Sequence, residues 1–288
     1  MKVIKGLILF CFLSVGISAC FDAPVFDIIP EISFKKIQFK EVAGPATNDS
    51  LILYLDFKDG DGDLGYYKDA LDEPFNASFY YLATGTDADG DLKNDTVRVA
   101  TQQVYDDKDR PYILLKSDDL NGKLITNRTR LEAGYGYLPV YDPNSCVHYA
   151  DDELLVPEES IDNTYNIVDT LTGPGGIYYL VRSEPLLYTA NVNHNNIDVT
   201  FWVFEGGNWV KFDWLKEYCF RFDARFPVLS DKTGPLEGTI RYAMPSTGFL
   251  PEFNIKTLKL RVKIRDRALH ESEEIETPQF TLDGIKVK

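Results

Sequence analysis

Positive charge is scarce in this chain: 30 lysines and arginines stand against 45 aspartates and glutamates, a formal net charge of −15 over 288 residues. A surface this acidic repels phosphate backbones, which excludes nucleic acid as a partner. Long hydrophobic runs are also lacking. The apolar run at residues 6–15 falls well short of the ~20 residues that a membrane-spanning helix needs. Histidine occurs three times, at His148, His194 and His270, far apart in sequence, and the GxSxG, HExxH and P-loop patterns are missing. No catalytic constellation is visible, so we read the chain as a non-enzyme. The four cysteines include no CxxC pair, which excludes the common zinc and dithiol redox spacings.

The N-terminus carries a pattern of its own. Lys2 and Lys5 precede the apolar run, as in the basic and hydrophobic regions of a secretory signal. Ile17-Ser18-Ala19-Cys20 follows: an apolar residue, two small ones and a cysteine. This resembles the lipobox of bacterial lipoproteins. The resemblance implies that residues 1–19 are removed, that the Cys20 thiol is acylated to hold the chain at a membrane, and that residues 20–31 form the tether. Phe21 in place of aspartate after that cysteine implies the outer membrane, with the protein facing the periplasm or the surface. Losing Lys2 and Lys5 leaves 28 basic residues and a net charge of −17. Cys11 leaves with the signal, so Cys146 and Cys219 remain. In an oxidising compartment they can pair, closing a loop of roughly 70 residues worth about 4 kcal/mol; two separate buried thiols are the other option.

The stretch that organises the chain is 51–65. Leu51, Leu53, Leu55 and Phe57 alternate with Ile52, Tyr54, Asp56 and Lys58, the period of a strand with one buried face. The strand runs into Asp59-Gly60-Asp61-Gly62-Asp63. Calcium takes roughly six to eight oxygen ligands, and carboxylates interleaved with glycines on a flexible loop suit it. We therefore expect a structural calcium ion at Asp59, Asp61 and Asp63, with Asp56 near enough to contribute. A second acidic loop places Asp87, Asp89, Asp91 and Asp95 at the first, third, fifth and ninth positions of an EF-hand-like register. Gly90 and Leu92 fall in the wrong places and Arg98 stands where the bidentate glutamate belongs, so this is either an incomplete calcium loop or a polar hairpin tip.

Strand signals recur along the chain. Residues 32–42 alternate with a phase slip at Lys35-Lys36, the mark of a bulge in an edge-like strand. Hairpins are expected at 77–83 with 96–104 and, around Gly206-Gly207, at 197–204 with 209–215. Further strands are expected at 218–226, 238–244, 258–264 and 275–282, the last at an edge or bulge because of Pro278. Eight to ten short strands without an amphipathic helix predict an all-β, antiparallel sandwich over 32–288. Residues 105–190 read as a long, loop-rich insertion with short strands and a helical turn near 157–161. Trp202, Trp209 and Trp214 are expected to pack in the core, with a sugar-stacking platform as the alternative.

The closing strand, Asp266, a polar loop with Ser272 and a strand with Thr277 resemble the last hairpin of immunoglobulin-like domains in bacterial surface proteins, where the aspartate and hydroxyls cap the loop. Together with DGDGDLG at 59–65, KIRDRALHES at 263–272 and IETPQFTL at 275–282, the chain resembles uncharacterised lipoproteins of the Bacteroidota. The resemblance implies an immunoglobulin-like sandwich in the cell envelope and carries no activity. The expected role is a lipid-anchored structural or binding module, calcium-stabilised; a glycan-binding accessory lipoprotein using Trp202, Trp209 and Trp214 is the alternative.

Overall fold

Residues 24–42, 48–105, 111–115, 122–161, 165–173, 176–182 and 184–287 are described by the computed structural model. The signal segment and Cys20 lie outside them. Strands β1 (Glu31–Lys40) and β2 (Asp49–Asp59) pair antiparallel, and their register slips between Phe34 and Lys36, where the alternation breaks. Leu51, Leu53 and Leu55 are fully buried, so β2 presents the face its period predicts.

The chain then leaves for a second sheet. β3 (Ser78–Ala83) and β4 (Thr96–Tyr105) form the expected hairpin. They are joined by β5 (Pro111–Leu115), β6 (Lys123–Leu124), β7 (Tyr149–Ala150), β8 (Glu153–Pro157), β9 (Ile167–Gly173), β10 (Gly176–Arg182) and β11 (Leu186–Ala190). The spatial order is β7-β11-β3-β4-β5-β8-β10-β9, with β6 on β3. The expectation of a loop-rich insertion is thus corrected: 105–190 supplies seven strands of a nine-stranded sheet with its own cores, one around Tyr80, Leu82, Val99, Leu154 and Val181 and one around Ile125, Tyr135 and Leu187. Alternation is missing there for a physical reason. Leu154, Leu155 and Val156 are buried in succession, so no period of two is written into β8. The expected helical turn is present as a 3-10 turn over Glu158–Ser160.

After this excursion the chain returns with β12 (Ile197–Glu205) and β13 (Asn208–Phe212), a hairpin around Gly206-Gly207. Helix α1 (Trp214–Tyr218), β14 (Leu236–Ser246), helix α2 (Phe249–Phe253), β15 (Leu258–Ile264), β16 (Ile275–Glu276) and β17 (Lys286–Val287) complete it. Two four-stranded sheets result, β14-β2-β1-β17 and β13-β12-β15-β16. Their facing side chains, Leu51, Leu53 and Leu55 with Val199, Phe201, Leu260 and Val262, share one core with Trp214, Phe249 and Phe253 from the helices. Two pairings are parallel, β1 with β17 and β5 with β8. β17 covers only Phe39 and Lys40, so most of β1 is an edge, as its lysines suggest.

Helix α1 ends one expected strand early, at Phe212, and replaces the start of another, 218–226, whose remainder is irregular apart from an isolated bridge at Ala224. Asp213 accepts a hydrogen bond from the Lys216 amide at 3.2 Å and starts α1; Cys219, left-handed at φ 57°, ends it. Tyr218, Phe220 and Phe222 alternate because they crowd the Trp214 ring, at centroid distances of 5.3, 5.2 and 4.9 Å, and not because they lie in a ladder. The final strand is reduced to β16, with Phe280 rejoining Leu258 through an isolated bridge beyond Pro278.

Candidate metal centre

Asp59 is the last residue of β2, and its pairing with Leu236 of β14 fixes where the following loop begins. That loop is wedged on three sides. A side chain at Gly60 would meet the carbonyls of Phe26 and Asp27 at 2.6 Å, and at Gly65 the carbonyl of Pro227 at 2.2 Å. Gly62 sits at φ 78° against the Gly234 carbonyl, and the Gly234 amide donates to the Asp61 carbonyl at 2.8 Å. The glycines therefore serve close packing as much as flexibility.

The fourth neighbour is the loop that follows β15. Leu64 bridges Asp266, the Ala268 amide donates to Asp63 Oδ2 at 3.1 Å, and Arg267 donates to the Gly65 carbonyl at 2.9 Å. These contacts bring one carboxylate oxygen each of Asp59, Asp63 and Asp266 within 4.8 Å of one another. Asp59 and Asp266 are both 0% exposed. Neither oxygen of Asp59 has a hydrogen-bond partner, and the buried Oδ1 atoms of Asp61 and Asp63 have none either. The amides of Leu64 and Gly62 favour the Asp59 carboxylate from nearby, but do not reach hydrogen-bonding geometry.

Crowding shows in the titration of the group. Burial, then the charge of Asp61, pushes Asp59 above the usual carboxylate range. Asp63 is pushed up to about 6 by burial and by Asp266, Asp61 and Asp59, with Arg267 opposing. At 4.8 Å and an effective dielectric of about 20, each pair of ionised carboxylates repels by roughly 3 kcal/mol. A partly exposed arginine returns about 1 kcal/mol or less. The charge balance is met by protons or by a cation, and an all-oxygen donor set suits calcium or magnesium over zinc.

Sequence reasoning found two of these three aspartates, Asp59 and Asp63; the third aspartate of the loop, Asp61, lies beside them but outside the group. The metal role of Asp266 was missed, because its sequence signal is only that of a loop cap. It does cap: its Oδ1 accepts from the His270 amide at 2.8 Å, and the His270 ring Nδ1 lies 2.8 Å from Oδ2. Asp56 is turned away from the centre, bonded to Lys35 Nζ at 2.7 Å and to the Thr239 hydroxyl. It faces the opposite side of β2 from the core, so the suggestion that it contributes is corrected.

Asp87, Asp89 and Asp91 also bring oxygens together, but all three are exposed. Each accepts hydrogen bonds from the loop itself. Asp87 accepts from the Gly90 and Leu92 amides at 2.9 and 3.0 Å, Asp89 from the Asp91 amide at 3.1 Å, and Asp91 from both nitrogens of Lys93 at 2.9 Å. This self-bonding is the pattern of a polar hairpin tip, though one oxygen of each still lies within 4.8 Å of the others.

The three tryptophans do not share a surface. Trp214 is buried against Phe201, Phe212 and Phe253. Trp202 and Trp209, also expected in the core, instead lie half-buried on the outer face of the β12 sheet. Cations cover them: the Arg261 guanidinium lies 4.3 Å from the Trp202 centroid and Lys259 Nζ 4.5 Å from that of Trp209. A platform built from all three rings is ruled out by the opposite facing of Trp214.

Cys146, in the connection that leads into β7, and Cys219, at the end of α1, are joined by a disulfide. Among the described residues no helix is long and apolar enough to cross a membrane. No protein-family model, curated protein or solved structure matches the chain.

Proposed function

We propose that the chain is a lipid-anchored cell-envelope module, structural or binding in role, whose immunoglobulin-like sandwich is stabilised by calcium at Asp59, Asp61 and Asp63. The anchor is Cys20, at the end of a basic and apolar leader of the bacterial lipoprotein kind. The resemblance to Bacteroidota lipoproteins supports the same address, and the disulfide suits an oxidising compartment outside the cytoplasm.

One observation carries the calcium reading: Asp59 is fully buried with both carboxylate oxygens unpartnered. Such a group is strongly unfavourable unless a proton or a cation accompanies it. Catalysis is not part of the reading. The one meeting of a histidine with a carboxylate that the site contains, the partly exposed His270 with the buried Asp266, orients the loop after β15.

Thermal unfolding of the full chain, with 10 mM calcium or with chelator, tests the reading. Extracellular calcium modules bind with dissociation constants of about 10⁻⁴ to 10⁻³ M, so that about 10 mM calcium adds roughly 1.5–3 kcal/mol and several degrees of melting temperature. Asp59→Asn and Asp61→Asn should each shrink the shift. An identical melting temperature with calcium and with chelator would reduce the loop to an acidic turn.

A further inference from the structure

Asp59 and Asp266 stand 207 positions apart in the chain, yet their carboxylates meet in one buried cluster. Building on the calcium reading above, we propose that Asp266 is a ligand of the same ion, and that the ion latches the loop after β15 onto the loop after β2. The site would then be a junction between the first and last hairpins of the sandwich, and not a local property of one acidic loop.

The argument rests on how Asp266 is held. It is 0% exposed, and its backbone is fixed on both sides, its amide donating to the His270 carbonyl at 3.1 Å and its carbonyl accepting from the Leu269 amide at 3.2 Å. Each of its oxygens takes one hydrogen bond from His270, at 2.8 Å, which leaves each a lone pair. Ligating carboxylates are commonly braced in this way by an outer shell of donors. His270 is thus a positioning residue, and Asp266 points a pre-oriented oxygen at Asp59 and Asp63.

Direct contacts between the two loops are few. They comprise the Leu64–Asp266 bridge, the Arg267 and Ala268 amides on Asp63, and the Arg267 guanidinium on the carbonyls of Gly62, Leu64 and Gly65. Four carboxylates at this junction oppose closure, since Asp59, Asp61, Asp63 and Asp266 repel one another, with the Arg267 guanidinium and the His270 ring as the basic groups nearby. A divalent cation reverses the sign of that term. The unpartnered oxygens of Asp59 provide the independent evidence that the cluster is built to receive something, because acidic residues that merely crowd a surface satisfy themselves as Asp87, Asp89 and Asp91 do.

Two measurements on the full chain test the latch: calorimetric calcium affinity for the wild type, Asp266→Asn and Asp89→Asn, and hydrogen exchange of the wild type with calcium or chelator. We expect Asp266→Asn to weaken calcium about ten-fold or more and Asp89→Asn to leave it unchanged. Calcium should slow exchange at 266–272 together with 60–66, and this second readout needs no variant to fold. Wild-type affinity in Asp266→Asn, or protection confined to 60–66, would overturn the latch and leave the calcium reading standing. Loss of binding in Asp89→Asn would move the ion to the exposed hairpin and overturn the latch. Absence of calcium binding to the wild type would overturn both.

Discussion

Cys146 and Cys219 join the nine-stranded sheet to the sandwich: one lies in the connection before β7, and the other is the left-handed residue that ends α1 beside Trp214. The Cys146 carbonyl also accepts from the Tyr188 hydroxyl at 2.6 Å, so the bridge is built into the packing on its own side. With the cysteines 73 positions apart, the crosslink should contribute about 4 kcal/mol by restricting the unfolded chain. Reduction, or the paired change Cys146→Ser and Cys219→Ser, should lower the urea midpoint accordingly. An unchanged midpoint would mean that the sheets hold together without the bond.

Trp214 and Trp209 should separate sharply under mutation. Trp214→Ala removes a ring packed edge-on against Phe201, Phe212, Phe249 and Phe253, and should cost about 3–5 kcal/mol. Trp214→Phe should cost much less, because the indole N–H is buried without a partner and phenylalanine has no such donor to strand. Trp209→Ala, on the outer face under Lys259, should fall within about 1 kcal/mol of wild type. Chemical denaturation of the three variants checks the order, and a costly Trp209→Ala would place that ring in the core.

How much of this was legible depends on where each residue's partners lie. Leu51 to Phe57, Ile197 to Val203 and Leu258 to Ile264 each bury one face, and that alternation is written directly into the sequence. The bulge at Lys35-Lys36 was legible for the same reason. β8 was not, because Leu154, Leu155 and Val156 are buried on both faces and lose the period. In the metal centre, Asp59 and Asp63 were legible because they sit, with Asp61, within five residues of one another. Asp266 was not, because its partnership depends on β15 returning beside the end of β2, which no local spacing encodes.

His194 gives the stability a pH dependence whose sign can be worked out. Its ring Nδ1 lies 2.9 Å from the Phe75 carbonyl and 3.2 Å from Arg225 Nη1. Burial holds its pKa below the ordinary value, and the Arg225 charge adds to this against the Phe75 hydrogen bond. The folded state thus favours the neutral ring. Above the unfolded pKa of about 6.5 neither state is charged and the full stability is present; as pH falls through the window down to the lowered folded value, the unfolded chain takes up the proton first and stability is lost. The difference in unfolding free energy between wild type and His194→Gln should shift against wild type from pH 7 to pH 5. A difference that stays flat, or an NMR titration of His194 above 6.5, would contradict the assignment.

Gly62 and Gly90 share nearly the same backbone, φ 78° and 76°, which makes them a controlled pair. An alanine at either position pays the left-handed strain, roughly 1–2 kcal/mol. At Gly90 nothing lies within 4 Å of the added carbon, so Gly90→Ala should cost only that strain. At Gly62 the new carbon meets the Gly234 carbonyl at 2.5 Å and the Lys232 carbonyl at 2.9 Å, backbone atoms that cannot rotate aside. Segment 232–234 must move, and with it the hydrogen bond from the Gly234 amide to the Asp61 carbonyl. Gly62→Ala should therefore be clearly the more destabilising of the two by thermal unfolding, and it alone should diminish the calcium-dependent rise in melting temperature. Equal losses in both variants, with the calcium shift intact, would show that the 59–65 loop relaxes independently of the segment it packs against and that its carboxylates are not held by that wedge.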